Sequence, residues 1–276
     1  MTSQNRKTNL FLRHVALPSD HGSWVFLLSP LLIGLFAGRS WSTAALFLIV
    51  ASLAAFLIRQ PVTILVKVYS GRRSKRDLPA AWFWIGIYAL IGVIGLAGLL
   101  LQGYAYLFIL ALPGIPVFTW HLYLVSKRAE RRQIGVEVVA SGVLALAAPA
   151  GYWLGTGWTD PLGWLLFVLT WLQSAASIVY AYLRLQQRDL DDIPNVNSRL
   201  KMGRRALTYT TFNVLLVLLL ALTNTVALAL VLPYSLQWLE TIYGSLKPAV
   251  GKRPTAIGLR QLTVSSLFTL LFILTW

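Results

Sequence analysis

Arg59-Gln60-Pro61-Val62-Thr63-Ile64-Leu65-Val66-Lys67-Val68-Tyr69-Ser70-Gly71-Arg72-Arg73-Ser74-Lys75-Arg76-Asp77 joins two apolar runs that are too long for ordinary soluble helices. The stretch carries six bases and a single acid. Similar clusters recur at every second gap between apolar runs: Lys127, Arg128, Arg131 and Arg132, then Arg184 to Arg205, then Lys247, Lys252 and Arg253. The alternate gaps hold Arg39 and Asp160 and little else. Bases gathered on one side of successive apolar runs orient a multi-pass chain, with the basic side in the cytoplasm.

Composition agrees. The 276 residues are 57% hydrophobic and 12% charged, whereas a soluble domain carries about a quarter charged residues. Mean hydropathy is +0.67. The net charge of +15 would suggest nucleic acid in a soluble protein. Here the bases alternate with apolar runs, so bilayer orientation explains them and no nucleic-acid partner is expected. The absence of cysteine excludes disulfides, thiolate metal sites and Cys nucleophiles.

The expected fold is an all-α integral membrane protein of about nine transmembrane helices. Residues 1–22 form a cytoplasmic tail on the membrane surface and 23–276 a single transmembrane domain. The spans run from about Trp24 to Gly38, Trp41 to Ile58, Pro79 to Leu101, Gly103 to Val125, Gln133 to Leu154 and Leu162 to Leu183. Two more divide the uncharged stretch Ala206 to Leu239 at Thr223-Asn224-Thr225, and the last covers Thr255 to Trp276. Past Pro61 the second helix is expected to continue obliquely. Gly34 and Gly38 are spaced to let two backbones approach in lipid. Leu112-Pro113-Gly114-Ile115-Pro116 should break the helix hydrogen-bond ladder at mid-span. In the bacterial cytoplasmic membrane an odd number of spans separates the termini, and the basic gaps place the N-terminus in the cytoplasm and the C-terminus outside.

Ionisable residues within apolar surroundings are candidates for a binding site. Asp20 can cap the following helix, or with His21 meet a ligand head group. Arg59 and Lys67 lie in apolar surroundings where they can hold a phosphate, while Arg72 to Arg76 are expected to remain largely exposed. His121 and Glu137 are expected to be buried near the cytoplasmic face, with packing and helix-start complementation as their plainer roles. Arg184 closes the sixth helix. Asp189 and Asp192, three apart, either share a face suited to a divalent cation or belong to a salt-bridged connector. No metal ligand set is assigned.

Pro18-Ser19-Asp20-His21-Gly22-Ser23-Trp24, Arg59-Gln60-Pro61 with the Lys67 to Arg76 run, and Arg131-Arg132-Gln133 together resemble the YwiC-like family of bacterial multi-pass membrane proteins. The layout is also similar, more distantly, to the UbiA intramembrane prenyltransferases. That resemblance implies a nine-helix bundle with working loops 2–3 and 6–7 and aspartates in both to hold Mg²⁺ and a prenyl diphosphate. Here loop 6–7 keeps Asp189, Asp191 and Asp192, but loop 2–3 has bases in place of aspartates. The expected function is binding or processing of a phosphorylated, isoprenoid-like lipid at a cytoplasmic-face cavity, with membrane lipid as the other partner. If the protein is an enzyme, the likeness implies a prenyl or lipid transferase. The alternatives are a small-molecule transporter and an assembly factor for a membrane complex.

Overall fold

The computed structural model describes residues 10–18, 23–129 and 133–276. Asp20, His21, Arg131 and Arg132 lie outside the described residues. The helices are α1 (Arg13–Ala16), α2 (Ser23–Ala37), α3 (Thr43–Tyr69), α4 (Leu78–Leu101), α5 (Ala111–Ser126), α6 (Ile134–Ala145), α7 (Ala147–Thr156), α8 (Pro161–Arg188), α9 (Val196–Leu222), α10 (Val231–Leu246) and α11 (Pro254–Thr275). Short 3₁₀ turns precede α4, α5 and α10, and no strand occurs among the described residues.

Seven segments among the described residues are long and apolar enough to cross a membrane, by length and composition. They are α3, α4 with its 3₁₀ turn, α5 with its 3₁₀ turn, α6 with α7, α8, α9 and α11. The other two expected spans correspond to α2 and α10, with 15 and 16 residues. At 1.5 Å per residue such helices reach only about 22–24 Å, short of a hydrocarbon layer of about 30 Å.

Proline positions account for several boundaries. α3 runs unbroken through Pro61, which is buried within it. The break expected over Leu112 to Pro116 does not occur there: α5 runs through Pro116, and the departure from α-helix lies upstream, where a 3₁₀ segment, Ala105–Leu110, gives way to α5 at Ala111. Pro113 then falls in the first turn of α5, where its missing N–H has no intrahelical acceptor to lose. The fifth expected span is divided at Leu146, between α6 and α7, because Pro149 cannot donate into the preceding turn. α9 starts ten residues earlier than Ala206. Asn195 caps it by accepting from the Ser198 amide at 2.9 Å, so Arg199, Lys201, Arg204 and Arg205 sit on helix instead of loop.

The chain divides into two compact units. The first comprises residues 1–21 and 41–133. In it α3 and α4 pack through Gly95 and Gly98, where an added Cβ would meet the Ala51 backbone nitrogen at 2.9 Å and the Phe47 ring. Residues 10–17 are docked on these helices. Val15 and Ala16 are buried, and Val15 shares an apolar cluster with Ile64, Val68, Ala80 and Ala81. Three side chains fix the segment's backbone: Gln60 Nε2 donates to the His14 carbonyl at 3.0 Å, Trp84 Nε1 to Leu10 at 3.1 Å and the Tyr88 hydroxyl to Ala16 at 2.9 Å.

The second unit comprises residues 22–40 and 134–276. Here α2 lies against α7 through glycines on both sides. A Cβ on Gly34 would collide with the Ala148 carbonyl, and one on Gly155 with the Gly38 carbonyl. One on Gly38 would come within 2.6 Å of the Tyr152 carbonyl, and one on Gly151 within 2.7 Å of the Leu35 nitrogen. The expected close-packing role of Gly34 and Gly38 is met, with Gly151 and Gly155 supplying the other half. Overpacked contacts cost about 1–3 kcal/mol and occasionally more, and here the obstacle is backbone. Gly34→Leu or Gly155→Leu is expected to lower the melting temperature of the purified protein sharply, whereas Gly86→Leu, which meets open space, should leave it nearly unchanged.

Candidate functional site

In the first unit the basic cluster is divided between structural and half-buried positions. Arg72 donates to the Val125 carbonyl at the end of α5, a natural partner for a guanidinium because the last carbonyls of a helix have no intrahelical donor. Arg73 bonds Asp77 at 2.5 Å, and His14 Nε2 lies 3.7 Å from the same carboxylate. Lys75 and Arg76 are exposed, but Arg72 and Arg73 are half-buried. The expectation of a largely exposed run therefore holds only for its distal half. Arg59 and Lys67 are both half-buried on α3, and the Arg59 guanidinium lies over the Phe56 ring, 4.9 Å from its centre. His121 is half-buried on α5.

In the second unit Glu137 is exposed, contrary to the expected burial, and accepts a hydrogen bond from the Tyr182 hydroxyl. It stands in the first turn of α6, where its charge complements the helix start without needing an enclosure. Asp189 follows the last residue of α8 and pairs with Arg188 at 2.9 Å. Asp191 and Asp192 are exposed on a bend, so Asp189 and Asp192 do not share a helical face. No group of three or more metal-ligating side chains is assembled among the described residues.

Arg184 is 3% exposed. Its Nη1 donates to Gly244 O and Lys247 O at 2.8 and 2.7 Å, and to Gln187 Oε1 at 2.8 Å. Gln187 Nε2 also donates to Gly244 O, at 3.0 Å, and Arg199 Nη1 donates to Leu246 O at 2.6 Å. Two arginines and a glutamine thus cap α10, satisfying carbonyls left over at its end and complementing the negative pole of its dipole.

One turn earlier on α10, Glu240 gathers partners from two other helices. Tyr180 on α8 donates to Oε1 at 2.7 Å, and Arg260 on α11 grips both oxygens, Nε at 2.6 Å and Nη2 at 2.7 Å. The Arg260 guanidinium also stacks on Tyr243, 4.4 Å from the ring centre. A Cβ on Gly244 would collide with the Tyr180 hydroxyl, so this glycine makes room for the contact.

Above Glu240 a polar seam runs through the unit. Thr170, Gln173, Ser174 and Ser177 of α8, Asn213 of α9 and Gln237 of α10 are each at most 4% exposed. Gln237 Nε2 donates to Gln173 O at 3.1 Å and Ser177 Oγ at 2.9 Å; Asn213 Nδ2 donates to Leu172 O at 3.0 Å; Gln261 Nε2 of α11 donates to Ser177 O at 2.6 Å. The sequence reading named neither this seam nor Tyr180 and Arg260. The available signals were the spacing of three or four residues from Thr170 to Gln187 and an unpaired Glu240 within an apolar run.

The Glu240 contacts join three helices, which gives a measurable outcome. Arg260→Met, by stranding a 10% exposed carboxylate, should destabilise the protein by about 2 kcal/mol, the typical worth of hydrogen bonds to charged groups. The double variant Glu240→Gln, Arg260→Met should regain most of that loss in the same thermal melt.

The description YwiC-like protein matches residues 17–152, which reach from the docked N-terminal segment into α7. The protein YwiC of Bacillus subtilis (strain 168) is 26% identical over 178 residues, spanning 62% of this chain and 68% of that protein. No solved structure matches the fold, and nothing in these comparisons carries the UbiA-like layout. With seven segments of spanning length and apolarity, the chain is a multi-pass membrane protein that is similar to the YwiC-like family over residues 17–152.

Proposed function

We propose that this protein binds the phosphate head of a membrane lipid, of isoprenoid type, at the basic ends of its helices on the cytoplasmic side of a bacterial membrane. The observation supporting this reading is the position of Arg59 and Lys67, two bases eight residues apart and half-buried on the apolar helix α3. A partly desolvated guanidinium pairs with a phosphate bidentately and more strongly than one in water. His121, and Asp20 and His21 from outside the described residues, are proposed contributors to the same head-group site. The distal bases Lys75 and Arg76 contribute by salt-dependent attraction to anionic lipid.

No divalent metal enters this reading, because the loop 6–7 aspartates are exposed and one is already paired with Arg188. With farnesyl phosphate as the probe in nanodiscs, Arg59→Ala should weaken binding about tenfold or more, Arg76→Ala by much less, and a chelator should change nothing. Strict Mg²⁺ dependence lost in Asp189→Asn would overturn the reading in favour of prenyl transfer.

The orientation belongs to the same proposal: N-terminus in the cytoplasm, C-terminus outside. Thr159 lies between α7 and α8, Ser74 between α3 and α4, and both are exposed. Because the chain has no cysteine, an impermeant thiol reagent on intact cells should label Thr159→Cys and miss Ser74→Cys; the reverse labelling refutes the orientation.

A further inference from the structure

The outer face of α9 carries bases that the chain leaves uncompensated. Lys201, Arg204 and Arg205 are all exposed, and none forms an ion pair with an acid among the described residues. α9 contains no acid of its own. In the loop before it Asp189 is taken by Arg188, and Asp191 and Asp192 stay exposed on their bend without pairing to α9. Arg199 differs from the three, because its Nη1 is engaged by the Leu246 carbonyl. Lys201 stands three residues from Arg204 and four from Arg205, the spacings at which like charges on a helix repel. An anion from outside the chain would relieve that repulsion.

The same face then turns apolar. From Lys201 the exposed positions Arg204, Thr208, Phe212, Leu215, Leu219 and Leu222 follow at intervals of three or four residues, so they form one stripe. Phe212, Leu215, Leu219 and Leu222 are each more than half exposed. The buried positions Gly203, Ala206, Thr210, Asn213, Val217 and Ala221 fall on the opposite side, against the rest of the unit. An open surface thus runs from three bases, past a hydroxyl, to a row of large apolar side chains. Its dimensions suit one molecule. An acyl chain reaches about 15 Å, half of a hydrocarbon layer of about 30 Å. At 1.5 Å per residue that is about ten residues of helix, the separation of Arg205 from Leu215.

We infer that the outer face of α9 is a docking surface for an anionic diacyl phospholipid, whose phosphate meets Lys201, Arg204 and Arg205 while an acyl chain lies along Phe212, Leu215 and Leu219. Arginine takes a phosphate bidentately, and the bases attract any anionic head at the membrane surface. A zwitterionic head brings its own cation towards the same bases and is disfavoured. The surface belongs to the second unit and stands apart from the isoprenoid phosphate reading, which rests on Arg59 and Lys67 of α3 in the first.

The test places the full chain in nanodiscs of phosphatidylcholine with a minor fraction of phosphatidylglycerol that carries a photoreactive diazirine at the end of one acyl chain. Crosslinks are mapped to residues by mass spectrometry. Labelling on α9 between Phe212 and Leu222 is expected to exceed that by the matching phosphatidylcholine probe about tenfold. The variant Lys201→Gln, Arg204→Gln, Arg205→Gln should bring the two probes level, whereas Lys75→Gln, Arg76→Gln should leave the excess on α9 intact. The three α9 bases are exposed, so their replacement spares the packing of the helix. Glycerol 3-phosphate, which has the head without the chains, should not compete. Equal labelling of α9 by the two probes overturns the surface, and so does an excess that survives the triple variant. Loss of the excess to glycerol 3-phosphate would assign the bases to a soluble phosphate and refute the lipid. The comparison of the two probes in the natural chain needs no variant.

Discussion

The second unit depends on the contact between α2 and α7, where four glycines bring two backbones together. Lipid tails are as apolar as leucine, so helices in a bilayer gain little from hiding apolar side chains and associate through close packing and polar contacts. α2 is 15 residues long, short for a helix stabilised by immersion alone. Its order comes from its neighbours: Leu31, Ile33 and Leu35 are at most 2% exposed, and Gly34 and Gly38 sit against α7 backbone. Farther along the unit Ser29 of α2 and Thr269 of α11 share a buried hydrogen bond of 2.6 Å, so the same short helix is tied on a second side.

Polar residues set register where glycines set distance. Thr170, Thr210 and Thr241 each donate to the carbonyl four residues back in their own helix. Hydroxyls satisfied in this way demand nothing of a neighbour. Side-chain amides of Gln237, Asn213 and Gln261 reach instead across to α8. A shift of one turn along any of these helices would leave an amide N–H without an acceptor in a medium that offers no water. Interhelical polar contacts of this kind contribute about 0.6–2 kcal/mol each, modest singly but directional, so they select one register among several that apolar packing would accept.

The helical membrane class was legible because it follows from length and hydropathy: apolar runs separated by charge can be read residue by residue. The Gly34–Gly38 pair was legible too, since close approach in lipid needs small residues at that spacing. Boundaries set by partners were not. α9 extends back to Val196 because Asn195 caps it and Arg199 finds the Leu246 carbonyl, a contact 47 residues away that the local sequence does not reveal. Nor could the sequence reading tell that residues 10–17 dock, because their anchors Gln60, Trp84 and Tyr88 donate to backbone carbonyls, which every residue possesses. Glu137 misled for the opposite reason: its setting in an apolar helix suggested burial, yet a first-turn acid can remain exposed and still serve the helix.

Arg184 illustrates why a buried charge in a membrane chain is an ambiguous pointer to function. An arginine 3% exposed must be compensated, since removing it from water is costly. Within reach of lipid, a phosphate or a carboxylate is the obvious compensation, and Arg184 counted as a candidate as an ionisable residue at the end of an apolar run. The compensation found is the end of α10, where carbonyl groups and the helix dipole supply negative potential without a formal charge. Arg72 does the same at the end of α5. Both arginines lie where one helix stops beside another, so part of the chain's basic excess also closes helix ends. Glu240 needs the other solution, because it sits within α10 with no helix start beside it. Its charge is met by Arg260 from the adjoining helix, and the pair locks α10 to α11 where Arg184 and Gln187 tie α10 to α8. A charge at a helix end can thus be absorbed by backbone, whereas a charge within a helix must draw in a second side chain.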